Sequence, residues 1–243
     1  MNTSVKIGKG IIIKNCRMIE IASKQIFARN FEEVVSDRLL LLFLVYENRM
    51  HGNSVSGNSF ERQLKIQKLL FRIEEKMDHH EYKGLNYNFF RWSYGPFARE
   101  IYIDTEELVE TKFLEVKNKE LRLTEKGSKL IQRLLKFFKS DKELIEFYDR
   151  SIREFGEYDA EELMKIIKNY PSIEKMPIFK TKKGTPLLLK REELNSKRIF
   201  KIPSDLYEEL IIQFNPDISQ RLSKGLQSVK ESPLRKFKPE IRK

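Results

Sequence analysis

Apolar residues recur three and four positions apart in two segments of the first third of the chain, and this spacing predicts two amphipathic helices. Ser36 can cap the first helix, which is expected to end near Arg49. Asn58 can cap the second, because Glu61 follows at the position that completes a capping box, and this helix is expected to reach about Met77. The predicted core stripes are Leu39, Leu40, Phe43 and Leu44 in the first helix and Ile66, Leu69, Leu70, Ile73 and Met77 in the second.

An aromatic segment and a glycine–proline pair follow the second helix. We expect residues 87–92 to form a strand that packs against the core, because aromatic residues favour half-buried strands. The alternative is that these rings, together with that of Tyr94, stack on nucleic-acid bases. Proline is favoured at the first position of a helix, so the sequence predicts a third helix from Pro96 to about Lys112.

The composition of this third helix bears on how it can meet a polyanion. Its acidic residues outnumber its basic ones and are expected to repel phosphates. These acidic residues are Asp104, Glu106, Glu107 and Glu110. The sequence therefore predicts that either the first turn alone approaches DNA, through Arg99 and Tyr102, or the helix has another role.

Residues 113–123 alternate between apolar and polar positions on either side of a short turn, which predicts a two-stranded hairpin. Its tip, Lys117-Asn118-Lys119, is positively charged. Thr124 can cap a following helix, and from Lys126 onward this helix has an apolar half and a basic half. A charged hairpin beside a basic helix is the layout of a wing and its closing helix, which can follow a phosphate backbone. The alternative is a solvated amphipathic helix after an ordinary hairpin.

Basic residues mark two surfaces of this region as candidates for contact with nucleic acid. On the hairpin and its helix they are Lys117, Lys119, Arg122, Lys126, Lys129 and Arg133, continued by Lys136 and Lys139. On the second helix they are Arg62, Lys65, Lys68, Arg72 and Lys76, which spread over about 120° beside the core stripe. The alternative for the second set is an ordinary solvated helix face, since long cationic side chains are common there.

Two shorter helices and a hairpin are predicted after the basic helix. The first helix is expected to end near Phe155, and the second, capped at Asp159, is expected to end before Pro171. Residues 178–189 are expected to form a hairpin around Lys183-Gly184.

Residues 197–230 predict a strand followed by two helices. In a ribbon–helix–helix unit such a strand pairs with a second subunit and enters the major groove, which would direct Lys197, Ile199 and Lys201 toward bases. The alternative is that the strand and helices complete the core of the preceding domain. The tail from Ser232 onward is expected to be a flexible basic arm.

The charge of the chain favours polyanionic partners. The net charge is +11, and residues 180–243 hold 16 Lys and Arg against 8 Asp and Glu, so most of the excess lies near the C-terminus. One cysteine, Cys16, cannot form an intrachain disulfide. The longest apolar run, residues 39–45, is far shorter than a membrane-spanning helix, so we expect a cytoplasmic protein without membrane contact.

The segment from about Arg38 to Tyr170 resembles the winged-helix proteins grouped with the Panacea and SocA-like antitoxins and phage-associated proteins. The pieces that carry the resemblance occur in the family's order. They are Ile66-Gln67-Lys68-Leu69-Leu70-Phe71, Tyr94-Gly95-Pro96-Phe97, Leu123-Thr124-Glu125-Lys126-Gly127 and the segment from Glu162-Leu163 to Tyr170-Pro171. The third piece also occurs in MarR- and PadR-type regulators. The resemblance implies a helical winged domain and a role as antitoxin, regulator or protein adaptor without a cofactor, and it leaves about the last 70 residues unexplained.

The expected fold is mainly α with a small β-hairpin: a winged helix-turn-helix core with a helical extension and a C-terminal strand–helix–helix unit. The expected divisions are an N-terminal arm (1–35), the winged-helix domain with its extension (36–175), the strand–helix–helix unit (176–231) and the basic tail (232–243).

Three functions follow from these patterns. The leading hypothesis is a dimeric, autoregulatory transcriptional regulator that binds double-stranded DNA. The second is an antitoxin or adaptor that binds a partner protein such as a toxin. The third, an enzyme acting on nucleic acid, lacks a catalytic acid cluster or glycine-rich phosphate loop in the sequence, and the histidines near residue 80 resemble a solvated turn more than a metal site. We therefore expect a protein that is not an enzyme and has neither metal nor cofactor.

Overall fold

The computed structural model describes residues 29–170, 177–188 and 198–231, which form a mainly helical structure with two small antiparallel sheets. The helices are α1 (Phe31–Met50), α2 (Ser59–His79), α3 (Arg99–Glu110), α4 (Glu125–Ser140), α5 (Lys142–Phe155), α6 (Ala160–Lys168), α7 (Ser204–Phe214) and α8 (Pro216–Glu231). The strands are β1 (Val55–Ser56), β2 (Phe89–Trp92), β3 (Gly95–Phe97), β4 (Leu114–Lys117), β5 (Glu120–Leu123) and β6 (Pro186–Leu188). Most of the predicted arm and the whole basic tail lie outside the described residues.

Helix α1 begins earlier than its sequence pattern predicts. Asn30, not Ser36, is the cap: its side chain accepts a hydrogen bond from the Glu33 amide at 2.9 Å, and the Glu33 carboxylate accepts one from the Asn30 amide at 2.8 Å. The capping box lies outside the apolar stripe, so the stripe marked only the buried part of the helix. The same arrangement at Asn58 and Glu61 confirms the predicted start of α2.

Helix α1 occupies the centre of the structure. Every residue from Asp37 to Val45 is buried, so the helix is enclosed on nearly all sides. It packs against α3, α4, α5 and α7, and against β5. Helix α2 lies outside it and is itself covered by α5 and α6. The predicted helices α5 and α6 are confirmed, with Asp159 as the cap of α6.

The first sheet has the strand order β1-β5-β4. Strands β4 and β5 form the predicted hairpin, in which Leu114 lies opposite Leu123 and Val116 opposite Leu121. Its turn residues Asn118 and Lys119 both have positive φ, at 52° and 63°, as a tight two-residue hairpin turn requires. Strand β1 adds to the other edge of β5.

The second sheet has the order β3-β2-β6 and corrects two predictions. Pro96 does not start a helix: it lies in β3 and pairs with Arg91 of β2, and α3 begins only at Arg99. Residues 178–189 do not form a hairpin of their own, because β6 pairs with β2. Gly184 still makes a turn, at φ 87°, and its amide donates to the Arg91 carbonyl at 2.8 Å.

The C-terminal segment completes the core. Phe200, Leu210 and Phe214 are buried in the same hydrophobic cluster as α1. Strand-like residues around Ile199 bond to Lys83 of the same chain: the Lys83 amide donates to the Arg198 carbonyl at 2.9 Å and the Phe200 amide to the Lys83 carbonyl at 2.8 Å. One edge of this backbone is thus already bonded within the chain, which favours the alternative that the segment completes the core over a ribbon–helix–helix unit.

Candidate nucleic-acid interface

The basic face predicted on α2 is largely inside the structure. Lys65, Lys68 and Arg72 are between 1% and 7% exposed, so the prediction of an exposed basic face is wrong for these three residues. The reason is that α5, α6 and β3 cover α2 well beyond its apolar stripe. The Lys65 ammonium donates to the Gly156 carbonyl at 2.6 Å, and the Arg72 guanidinium lies 3.8 Å above the ring of Tyr170.

Lys68 has a structural role next to β3. Its ammonium donates to the Pro96 carbonyl at 2.7 Å, and the neighbouring Gln67 side chain exchanges two hydrogen bonds with the backbone of Ala98. Burial, reinforced by the charge of Arg91, lowers the pKa of Lys68 to about 7. Two of the segments that carry the family resemblance thus contact each other directly.

The hairpin tip is the most open basic element of the predicted interface. Lys117 and Lys119 are exposed, and no described residue forms an ion pair with either ammonium. Arg122, at the base of the hairpin, instead pairs with Glu115 at 3.0 Å. Arg62 is half-buried and donates to the Gly57 carbonyl at 2.5 Å and to the Lys119 carbonyl at 3.4 Å.

An exposed aromatic pair lies beside this tip, and sequence analysis missed half of it. The rings of Phe60 and Tyr94 are each 46% exposed and meet edge to face, with centroids 5.0 Å apart. Phe60 follows the loop whose Gly57 amide donates to the Lys119 carbonyl at 3.1 Å, so the pair and the tip are neighbours. Phe60 lies off the core stripe of α2, and this position in the sequence could have predicted that its ring is exposed.

We call this surface the hairpin end; its residues are Phe60, Arg62, Tyr94, Lys117 and Lys119. It combines cations with exposed aromatic rings, which suits contact with phosphates and with sugars or bases. The other aromatic residues of this region are Tyr87, Phe89, Phe90 and Trp92, and they are buried or half-buried. The prediction that this aromatic segment packs against the core is therefore confirmed for Tyr87 and Phe89, whereas Phe90 and Trp92 are only half-buried.

The basic half of α4 is exposed but mostly paired. Lys129 pairs with Glu125 at 2.6 Å and Arg133 pairs with Glu209 of α7 at 2.6 Å. Lys126 donates to the Thr111 carbonyl at 3.1 Å and lies 3.9 Å above the ring of Phe113. Helix α4 therefore offers weaker attraction to phosphates than its sequence predicts.

Some of the acidic side chains of α3 are buried or paired inside the structure. Asp104 is fully buried between two arginines: the Arg29 guanidinium donates to it at 2.7 Å and Arg38 Nε at 3.0 Å. Arg38 also pairs with Glu107 and donates to the Phe214 carbonyl at 2.7 Å, which ties α1 to α3 and α7. Asp104 and Glu107 are thus neutralised by arginines, and the repulsion of phosphates by α3 is smaller than its composition predicts.

The same network holds an acid with a shifted pKa. Asp37 is fully buried, accepts from Arg29 at 2.7 Å and from the Asn86 amide at 2.8 Å. Burial raises the pKa of Asp37 to about 7, although the charge of Arg29 lowers it. This network lies beneath the surface and holds helices together.

The remaining predicted contacts are scattered. Arg99 is half-buried at the start of α3, and Lys201 is exposed just before α7. Lys197 lies outside the described residues.

The described part of the chain holds no cluster of three or more side chains able to bind a metal ion, and none of its helices is long and apolar enough to cross a membrane. Comparison of the chain with models of known families, with curated proteins and with solved structures finds no match.

Proposed function

We propose that the protein is a winged-helix transcriptional regulator that binds double-stranded DNA, with the hairpin end as its main contact. The order α1-β1-α2-β2-β3-α3-β4-β5, with β1 paired to the far side of the hairpin, supports this fold assignment if β2 and β3 are an insertion between the second and third helices of the winged domain. In such a domain the hairpin is the wing and α3 is the helix nearest the major groove.

The observation that carries the proposal is the composition of the hairpin end. Lys117 and Lys119 project two cations from the tip, and Phe60 and Tyr94 expose apolar rings next to them. Cations that meet phosphates release condensed counterions, which is the largest source of non-specific affinity for DNA. The aromatic rings add contact with sugars and with bases at groove edges.

The outer face of α3 limits how far this helix can contact DNA bases. Its exposed residues include Glu106 and Glu110, which repel phosphates, so base contacts are confined to the first turn around Arg99 and Tyr102. We expect the hairpin end to supply affinity and orientation rather than most of the sequence specificity.

The test is a double charge reversal, Lys117→Glu with Lys119→Glu, with duplex binding measured by fluorescence anisotropy over a range of salt concentrations. We expect at least a tenfold loss of affinity at low salt and a salt slope smaller by about 2, one for each phosphate that the tip no longer neutralises. The matched control is Arg221→Glu with Lys224→Glu on α8, which changes the net charge equally on exposed residues outside both candidate surfaces.

Equal losses in the two double variants would show that only net charge matters, and the hairpin end would then lose its assigned role. Absence of duplex binding by the unmodified protein at low salt would overturn the function itself.

A second candidate function, binding of a partner protein such as a toxin, is favoured by α3. Ile103 and Val109 are each 37% exposed and lie on the same outward face as Glu106 and Glu110. An apolar surface bordered by carboxylates fits a basic protein better than DNA. A stoichiometric partner that stays bound at high salt distinguishes this function, because DNA binding weakens steeply there.

A further inference from the structure

A cationic groove lies at the other end of α2, far from the hairpin end. It has a volume of about 530 Å³ and lies between the last turn of α2 and α5. Its lining residues are Lys76, His80, Phe147, Arg150, Arg153 and Glu154. Phe60 and Lys76 are sixteen positions apart on one helix, which corresponds to about 24 Å along its axis. The groove is therefore spatially separate from the surface assigned to DNA.

Basic side chains line the groove from both helices. Lys76 and His80 lie one turn apart on α2, and Arg150 and Arg153 lie one turn apart on α5. Each arginine has an acidic neighbour one turn earlier, Glu146 for Arg150 and Asp149 for Arg153. The side chains of Arg150 and Arg153 are more than 60% exposed, so these ion pairs contribute little stability and the guanidinium groups can turn to another anion, while the two carboxylates lower the local positive potential as the acidic partners of the α4 cations do.

The carboxylate of Glu154 lies in the groove and is stabilised in its charged form by the basic side chains around it. Glu154 accepts from the Lys76 ammonium at 2.7 Å and from the Tyr170 hydroxyl at 3.3 Å. Burial raises the pKa of Glu154, but the hydrogen bond and charge of Lys76 and the charge of Arg72 outweigh it, so the net shift is downward. The groove thus stabilises a negative charge.

Aromatic rings lie next to these cations. The ring centroids of His80 and Phe147 are 5.4 Å apart, and those of Tyr82 and Phe147 are 5.3 Å apart. Phe147 is only 6% exposed, so the exposed ring of His80 is the stacking surface that a planar ligand meets, within reach of Arg150. Ring stacking and two arginines together select an anion that carries an aromatic group. Arginine pairs bind phosphate particularly well, because the planar guanidinium donates two parallel hydrogen bonds.

We propose that this groove binds a small phosphate ester with a planar ring, of the nucleoside monophosphate class. Arg150 and Arg153 hold the phosphate, Lys76 adds charge, and the ring lies against His80, whose own ring packs on Phe147. The volume of the groove falls within the range of small-molecule sites. The proposal does not depend on DNA binding.

The experiment titrates the full chain with adenosine monophosphate and, separately, with inorganic phosphate, and follows backbone amide signals of α2 and α5 by NMR. We expect saturable shifts around Lys76, His80 and Phe147, with a dissociation constant for the nucleotide at or below about 1 mM and weaker binding of inorganic phosphate. The variant Arg150→Gln with Arg153→Gln is expected to weaken nucleotide binding by about tenfold or more, since it removes both guanidinium groups.

Two matched variants make the result specific. Lys136→Gln with Lys139→Gln removes two exposed cations of α4, and Lys117→Glu with Lys119→Glu alters the hairpin end; both are expected to bind the nucleotide like the unmodified protein. Shifts that do not saturate, or that persist in the arginine variant, overturn the site. Equal affinities for the nucleotide and inorganic phosphate overturn the assigned ring contact.

Discussion

At the residue scale, the position of a charge relative to its neighbours matters more than its presence in the sequence. Lys68 is 1% exposed, and no carboxylate among the described residues pairs with it. Its ammonium is held by one backbone carbonyl. A lysine in this setting binds its proton less tightly than in the unfolded chain, so folding stability depends on pH.

The Lys68 position predicts a rise in stability with pH. The pKa of this group is 10.5 as the ordinary value and about 7 in the folded protein, so between these pH values the unfolded chain binds more protons. The free energy of unfolding is therefore expected to increase from about pH 7 to about pH 10, by an amount on the order of a few kcal/mol. Lys68→Met is expected to lack this part of the increase.

Urea denaturation of both proteins at several pH values measures the difference, and Lys136→Met, which alters an exposed lysine, serves as the control. If Lys68→Met keeps the full pH dependence, Lys68 is charged in the folded protein and its inferred pKa is wrong.

At the scale of elements, capping residues and apolar alternation were sufficient to predict α2, α4, α5, α6 and the β4–β5 hairpin. They did not predict which helix faces are covered. Lys65 and Arg72 lie beside the stripe of α2, and a helical projection cannot tell that α5 and α6 extend over them. Pro96 was misassigned because proline suits both a helix start and an edge strand, and only the pairing with β2 decides.

The candidate site was predictable only in part, for the same reason. Lys117 and Lys119 could be found because a hairpin tip is exposed by its own local geometry. Phe60 and Tyr94 meet across 34 positions of sequence, and no local pattern reports that contact. The pairing of Arg133 with Glu209 is equally non-local. It neutralises a side chain of α4 that the sequence pattern predicts to contact DNA.

Gly127 lies at the junction between the hairpin and α4, where a larger residue does not fit. A Cβ atom added to Gly127 would lie 2.3 Å from the Phe113 carbonyl oxygen, which is backbone and cannot move aside easily. Gly127→Ala is therefore expected to destabilise the protein by about 1–3 kcal/mol, despite the better helix propensity of alanine. Gly225→Ala in α8 is the control, because nothing lies within 4 Å of its added Cβ, and it is expected to be neutral or stabilising by up to about 1 kcal/mol.

Thermal denaturation of the two glycine variants checks this difference. A melting temperature for Gly127→Ala at or above that of the unmodified protein would mean that α4 can shift away from Phe113 without cost.

At the scale of the whole molecule, the C-terminal segment divides into a part that the core needs and a part that it does not. Phe200, Leu210 and Phe214 are buried, and the Phe214 carbonyl accepts from Arg38. Helix α8 follows with its main contacts on α7, and its Leu222 and Leu226 are 48% and 64% exposed.

Two truncations test this division. A chain that ends at Asn215 is expected to melt cooperatively close to the temperature of the full chain. A chain that ends at Ser196 loses two buried phenylalanines at about 3–5 kcal/mol each, which approaches the whole stability of an ordinary domain, and is expected not to fold. Circular dichroism during heating distinguishes the two. A cooperative transition of the shorter chain at an unchanged temperature would show that α7 is dispensable.

The enclosure of α1 has a consequence for the order of events during synthesis. The run from Leu39 to Val45 is synthesised before Phe214, although Phe214 belongs to the helix that covers one side of it; Arg38 and Phe214 are 176 positions apart. Until α7 has emerged, one side of the most apolar helix remains open to water and to other nascent chains. Complete burial of α1 therefore has to wait for the synthesis of α7, and until then α1 is the segment that we expect a chaperone to bind.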